Sequence, residues 1–168
     1  PGLIYERMRW RRKAKLPTAA DFLYDPPDKI ENVRNWWINS RIVVRRLLNK
    51  NKFTQAYNIL NNHKLPLSTD SGREAEWLAG WVAIHHLKKP TKSIEHFKKV
   101  YENTPNESMK AKAAYWISEA NGLTNKKNEE VIWLKIASKN KFSFYGQNAS
   151  IKLGNFEFKK EKKILLKP

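Results

Sequence analysis

The spacing of the large apolar residues constrains the fold most, because it follows the period of an α-helix. Trp77 and Trp81 lie four residues apart, and Ala113, Trp116 and Ala120 continue the pattern further along the chain. No stretch alternates apolar and polar residues between turn signals, as a half-buried strand would. The sequence therefore predicts helices and no sheet. The predicted helices span about residues 3–14, 18–24, 36–49, 53–62, 72–88, 91–103, 106–121, 127–139 and 143–153.

Three hydroxyl residues mark predicted helix starts. Each is followed three positions later by an acidic residue, the pattern of a capping box, in which the hydroxyl oxygen accepts a hydrogen bond from the first turn. The three pairs are Thr18 with Asp21, Ser71 with Glu74, and Thr104 with Glu107. In the third pair, Pro105 is predicted to be the first helical residue, where a missing N–H breaks no helical bond.

The predicted helices form pairs that repeat along the chain. Ala20, Ala56, Ser93 and Glu130 occupy equivalent places in successive pairs, at intervals of 36, 37 and 37 residues. A single hairpin cannot bury its own apolar face, so such pairs stack on one another. Small residues at Ala56 and Ser93 let neighbouring helices approach, and the residues predicted to fill the layer between hairpins are Trp77, Trp81, Phe97, Trp116 and Trp133. The predicted fold class is all-α, a right-handed superhelix of helical hairpins in the manner of a tetratricopeptide-like α-solenoid.

Two segments interrupt this pattern. Pro26 and Pro27 hold the chain extended, so residues 26–35 are predicted to be an inter-repeat loop. After Gly154 the periodicity ends and the sequence becomes rich in lysine. We therefore predict one helical-repeat domain over residues 1–154, and a basic linker or the start of a following domain over residues 155–168. The start at Pro1, without an initiator Met or a signal peptide, indicates a processed chain or a fragment.

The charge of the chain predicts an anionic partner. The 33 basic and 16 acidic residues leave a net charge of +17, which favours binding to a nucleic acid, an anionic membrane surface or the carboxylates of peptidoglycan, although lysine-rich composition alone produces the same excess. There is no cysteine, so disulfides and thiolate metal sites are excluded. No apolar run approaches the roughly 20 residues of a transmembrane helix, and we expect a soluble chain.

Several blocks of sequence together resemble the helical region of soluble lytic murein transglycosylases. They are YERMRWRRK (Tyr5 to Lys13), Pro26-Pro27 leading to Trp36-Trp37 and Arg41, AEWLAGW (Ala75 to Trp81), AYW (Ala114 to Trp116), and FYGQ (Phe144 to Gln147) followed by Leu153-Gly154. The resemblance implies a periplasmic protein of a Gram-negative bacterium, in which the superhelix forms part of a ring ahead of a catalytic domain. That enzyme class cleaves peptidoglycan glycan strands to 1,6-anhydro-N-acetylmuramic products.

The chain itself shows no recognisable catalytic residue. The family uses one Glu, in a Glu-Ser motif with a downstream Gly-Leu-x-Gln segment, as general acid and then base, which requires a carboxyl of raised pKa. Glu107-Ser108 matches only the first two letters, and Glu107 fits a capping box better. We therefore predict a non-catalytic scaffold, whose partners are glycan strands and the catalytic domain of the parent chain, and we expect no cofactor.

Five residues are the candidate substrate-binding residues: Trp10, Arg11, Trp36, Trp37 and Trp133. Aromatic rings stack on sugars and an arginine pairs with carboxylates, but each residue also fits a structural role in the core or on a solvated helix face. The basic run that includes Arg7 and Lys13 has the same two explanations. His85 and His86 are adjacent on a helix and point about 100° apart, so we predict packing or surface histidines and no metal site.

Two other functions explain parts of the sequence. A tetratricopeptide-like adaptor that binds acidic partner proteins accounts for the charge, and in that case the resemblance reflects only shared hairpin architecture. Nucleic-acid binding also accounts for the charge, but no nucleic-acid motif is present and a periplasmic location argues against it. We therefore expect no nucleic-acid partner.

Overall fold

A computed structural model describes residues 2–154, and all regular structure within that range is helical. The helices are α1 (Gly2–Lys13), α2 (Asp21–Tyr24), α3 (Val33–Asn49), α4 (Phe53–Asn61), α5 (Asp70–His85), α6 (Pro90–Asn103), α7 (Glu107–Gly122), α8 (Lys127–Ser138) and α9 (Phe144–Lys152), with a 3-10 turn at Pro17–Ala19. The all-α prediction is confirmed. The predicted linker at 155–168 lies outside the described residues and stays a prediction.

The helix bounds follow the prediction closely, with two departures of three residues. Helix α3 begins at Val33, because the Asn32 side chain accepts a hydrogen bond from the Asn35 N–H and starts the helix early. Helix α5 ends at His85, because the chain turns through a left-handed residue at Lys88. The predicted helix at 18–24 is divided between the 3-10 turn and the short α2.

The predicted capping boxes are wrong in their positions. The observed N-cap side chains are those of Asn32, Thr69, Asn106 and Ser143. An N-cap residue must have a non-helical backbone, whereas Ser71 already lies inside α5 and Thr18 inside the 3-10 turn. Thr104 accepts a hydrogen bond from the Asn106 N–H, and the helix begins only at Glu107, so Pro105 is not its first residue.

Four residues with left-handed backbone repeat at the intervals predicted from the sequence. Lys15, Asn51, Lys88 and Asn125 have φ of 59°, 57°, 55° and 58°, and they are 36, 37 and 37 residues apart. Asn51, Lys88 and Asn125 lie in the turns that join α3 to α4, α5 to α6, and α7 to α8. The sequence repeat thus corresponds to a repeated turn of the backbone.

Packing follows chain order. From α3 onward each helix contacts the next, and α3 also contacts α5 while α7 contacts α9. The ring of Phe97 in α6 is fully buried, 4.8 Å from the Trp77 ring and 6.3 Å from the Trp116 ring. Gly80 permits this approach, since a Cβ there would lie 2.7 Å from Phe97 Cε1.

The small residues of the repeat take the predicted buried places. Ala56 and Ser93 are fully buried and Ala20 is nearly so, whereas Glu130 is partly exposed and forms an ion pair with Lys127. Phe97 is likewise enclosed, while the four tryptophans predicted for the inter-hairpin layer are partly buried. The repeat therefore has the expected role in the core in its first three units.

Candidate binding face

Aromatic and cationic side chains from α5, α7 and α9 meet around Lys112. The ammonium Nζ of Lys112 in α7 lies 3.6 Å from the ring centre of Trp77 in α5, and 6.0 Å from that of Tyr145 in α9. Tyr115, one helical turn beyond Lys112, lies 5.5 Å from Tyr145, ring centre to ring centre. All four side chains are partly exposed, so the cluster is accessible from solvent.

Lys112 lacks a carboxylate. None of the acidic residues that the structure describes forms an ion pair with it. Its ammonium group instead lies near the ring faces of Trp77 and Tyr145. Partial burial lowers the pKa of the Lys112 ammonium, because desolvation penalises the charged form. A cation–π contact offsets part of this penalty, and an incoming carboxylate would offset more of it.

The same surface carries an ion pair at the far end of α7. Lys152 in α9 pairs with Glu119 in α7, and its Nζ lies 5.3 Å from the Tyr115 ring centre. Burial alone lowers the pKa of Lys152, but the hydrogen bond and charge of Glu119 outweigh it and the pKa is raised. This lysine already has its counter-ion, unlike Lys112.

The surface continues onto α3 through Glu74, which precedes Trp77 by one turn of α5. The indole Nε1 of Trp37 donates to Glu74 Oε2 at 2.7 Å, and Arg41 forms an ion pair with the same carboxylate. These residues border an open cleft of about 560 Å³ between the first turns of α3 and α5. We name this surface the odd-helix face and define it by Arg41, Glu74, Trp77, Lys112, Tyr115 and Tyr145.

A second polar cluster lies inside the protein, around Glu76 of α5, which is 4% exposed. His96 Nδ1 lies 2.5 Å from Glu76 Oε2, while His63 Nε2 and Lys99 Nζ donate to Oε1 at 3.2 and 2.9 Å. The Tyr57 hydroxyl lies 3.0 Å from His96 Nε2, so every polar atom of this histidine has a partner. We name these five residues the Glu76 network.

Hydrogen bonds determine the charge states in this network. The Leu65 N–H donates to His63 Nδ1 at 2.8 Å, so His63 carries its proton on Nε2 and is neutral. Burial alone raises the pKa of Glu76, but the hydrogen bonds from His63, His96 and Lys99 outweigh it and hold the pKa far below the ordinary value of a glutamate. Glu76 is therefore a carboxylate that ties together α5, α6 and the segment before α5.

The five residues predicted to bind substrate are not brought together. Trp36 and Trp37 are 4% and 3% exposed and belong to the core formed with α1 and α5, which matches their structural explanation. Trp133 packs against Tyr101 in a separate core cluster. Trp10 is 64% exposed, and the guanidinium of Arg11 lies 5.1 Å from the Phe22 ring centre.

The histidines follow their predicted packing role. His86 stacks on Phe53 with ring centres 4.1 Å apart, and His85 packs between Trp81 and Trp116. Among residues 2–154 there is no group of three or more acidic or histidine side chains arranged to hold a metal ion. Glu107 is mostly exposed and pairs with Lys110, as an acid in a first helical turn commonly does.

Sequence reasoning missed the residues that form both polar clusters. Lys112 has no special spacing in the sequence, and no sequence pattern links His63 or His96 to Glu76. One signal was present, because Glu76 shares a helix face with Ala79 and Ala83, where a charged residue is unusual unless it is paired.

Comparison of the chain with models of protein families, with curated proteins and with solved structures gives no match. No helix within residues 2–154 has the length and apolar character needed to cross a bilayer.

Proposed function

We propose that this chain is a non-catalytic helical scaffold of a lytic murein transglycosylase, and that its odd-helix face binds peptidoglycan glycan strands in the periplasm. One observation carries the proposal: the unpaired ammonium of Lys112 lies between the partly exposed rings of Trp77 and Tyr145. Sugar rings stack on aromatic faces, and the carboxylates of peptidoglycan pair with cations. The sugar rings and the carboxylates of the proposed ligand therefore each have a binding partner on the odd-helix face.

The proposal includes a superhelical arrangement of the hairpins, which forms an arc of a ring. The left-handed turns at Asn51, Lys88 and Asn125 recur every 37 residues, and alternate helices are in contact at α3 with α5 and at α7 with α9. Stacked hairpins of this kind expose one extended surface. An extended surface of this kind suits a polymeric ligand better than a small molecule.

The charge state of Glu76 supports a scaffold without hydrolytic or lyase chemistry of its own. A general acid for glycosidic cleavage needs a raised pKa. Among the described residues, Glu76 is the acidic residue whose carboxyl is buried, and its hydrogen bonds lower its pKa. Catalysis in the proposed enzyme therefore belongs to a separate domain.

Sedimentation with purified sacculi tests this proposal. We expect the chain to pellet with sacculi at low salt and to be released as salt rises, because charge contributes to binding. Lys112→Met should weaken binding by about threefold, the size of one partly screened charge contact. Lys92→Met is the matched control, since Lys92 is exposed on α6 and pairs with Glu95, and it should bind like the wild type.

Four results would overturn parts of the proposal. Failure to pellet at low salt, or equal binding by Lys112→Met and wild type, would remove the odd-helix face as a glycan site. Release of 1,6-anhydro-muropeptides, detected by mass spectrometry, would show that the chain is catalytic. Binding to polyglutamate in place of sacculi would favour the adaptor that recognises acidic proteins.

A further inference from the structure

A basic groove lies between the N-terminal helices, on the side of α3 opposite to the odd-helix face. It encloses about 290 Å³ between the 3-10 turn, α2, the end of α3 and the start of α4. Arg46 of the groove follows Arg41 of the odd-helix face by five residues, which places the two side chains about 140° apart around α3. The groove is therefore a separate surface.

Cations and apolar side chains line this groove together. The cations are those of Lys15, Arg46, Lys50 and Lys52, and the apolar part includes Val43 and Leu47. Asp21 is the single acidic residue in the lining. Within residues 2–154 none of the four cations forms an ion pair, while most acidic side chains elsewhere have a basic partner. The groove thus concentrates positive charge that the chain itself leaves uncompensated.

One of the cations is held in place. Arg46 is partly buried, and its Nη1 donates to the backbone carbonyl of Arg12 at 2.8 Å. This bond orients the guanidinium before any ligand arrives and leaves its other N–H donors available. A pre-oriented arginine loses less conformational entropy when it pairs with a carboxylate than a free lysine does.

We infer that the basic groove binds a short acidic peptide segment of a partner protein, with one apolar side chain in the groove and carboxylates on the lysines. The lining decides in favour of a peptide anchor, because the apolar side chains of Val43 and Leu47 lie beside the cations and suit an apolar side chain flanked by carboxylates. A phosphate backbone offers carboxylate-like charge but no apolar group for this part of the groove. This site goes beyond the proposed function and does not depend on peptidoglycan binding.

Fluorescence anisotropy with a labelled Glu-Glu-Leu-Glu-Glu peptide tests the inference. We expect saturable binding to the wild-type chain, weaker binding of Gln-Gln-Leu-Gln-Gln, and weaker binding of Glu-Glu-Gly-Glu-Glu. The double variant Lys50→Met with Lys52→Met should lose about tenfold in affinity, the sum of two charge contacts. The charge-matched control, Lys126→Met with Lys135→Met in the α8 region, should lose less than about twofold.

Amide chemical shifts of the wild type give a second measurement that needs no variant. The peptide should move the signals of Lys15, Arg46 and Leu47 and leave those of Lys112 and Tyr145 unchanged. Absence of binding, equal losses in the two double variants, or shifts on the odd-helix face would overturn the site. Displacement of the peptide by a single-stranded oligonucleotide at lower concentration would overturn the peptide assignment. The double variant Lys50→Met with Lys52→Met should still bind sacculi, because that binding is assigned to the odd-helix face. Loss of peptide binding with retained sacculus binding therefore distinguishes this inference from the proposed function.

Discussion

The region from α4 to α6 and the region from α7 to α9 hold their helices together with different chemistry. In the first, the Glu76 network joins three segments by hydrogen bonds to one buried carboxylate. In the second, the buried cluster consists of Ala114, Leu134, Ala137 and Ala149, and the ion pair of Glu119 with Lys152 lies at the surface. A buried polar network tolerates fewer arrangements than an alanine-rich contact, so the first region has the more strictly determined geometry.

Each region nevertheless contains one helix that begins in the same way, α5 in the first and α9 in the second. Thr69 accepts a hydrogen bond from the Gly72 N–H and donates to the Pro66 carbonyl, and Ser143 does the same with Gly146 and the Asn140 carbonyl. In each case the glycine lies against the carbonyl that receives the hydroxyl. The local turn is therefore shared, and only the enclosed core differs.

The largest expected effect distinguishes the two cores. Glu76→Ala should lower the free energy of unfolding by about 3–5 kcal/mol, because it leaves the buried imidazoles of His63 and His96 without their acceptor and removes the ion pair with the partly exposed Lys99. Glu119→Ala, which breaks the surface pair with Lys152, should cost less than about 1 kcal/mol. Denaturant unfolding measures both values. Equal losses would show that the buried network stabilises the fold no more than the surface ion pair does.

Substitution of the glycine at the shared helix start should destabilise the chain to a similar extent in both regions. A Cβ at Gly72 would lie 2.2 Å from the Pro66 carbonyl oxygen, and one at Gly146 would lie 1.9 Å from that of Asn140. Because backbone must move, each Gly→Ala change should cost about 1–3 kcal/mol, the usual range for overpacking. Gly2→Ala is the control, since no atom lies within 4 Å of its Cβ, and thermal unfolding should show no loss. A stable Gly146→Ala would disprove the common geometry.

The smallest effect is the dependence of stability on acid. Glu76 has a lower pKa in the folded chain than its ordinary value, so the folded state binds fewer protons than the unfolded state. Its contribution is therefore complete above about pH 5 and is lost as the pH falls through the unfolded value of about 4.3 towards the lower folded pKa. Between pH 5 and 3 the free energy of unfolding should fall less steeply with acid for Glu76→Gln than for the wild type. The two slopes should differ by up to about 1.4 kcal/mol per pH unit. Parallel curves for variant and wild type would contradict the assignment, and Glu119→Gln serves as the control.

The helices, their order and their repeat were predictable, whereas the helix caps were not. Apolar periodicity and turn residues act over a few positions, so they report local structure well. Ser71 and Thr69 are equally good caps on composition alone. The backbone at Thr69 becomes extended because Pro66 and Gly72 pack together there, and that contact is not visible in a hydroxyl-x-x-acid pattern.

The sequence by itself determined that this chain is helical and that its turns recur every 36 or 37 residues, because both properties arise from short-range preferences. Only the tertiary structure decided which side chains meet. It buried Trp36 and Trp37, brought His63 and His96 to one carboxylate, and left Lys112 between two rings. These contacts join residues 13 to 39 positions apart or more on different helices, and their selection depends on how the hairpins pack.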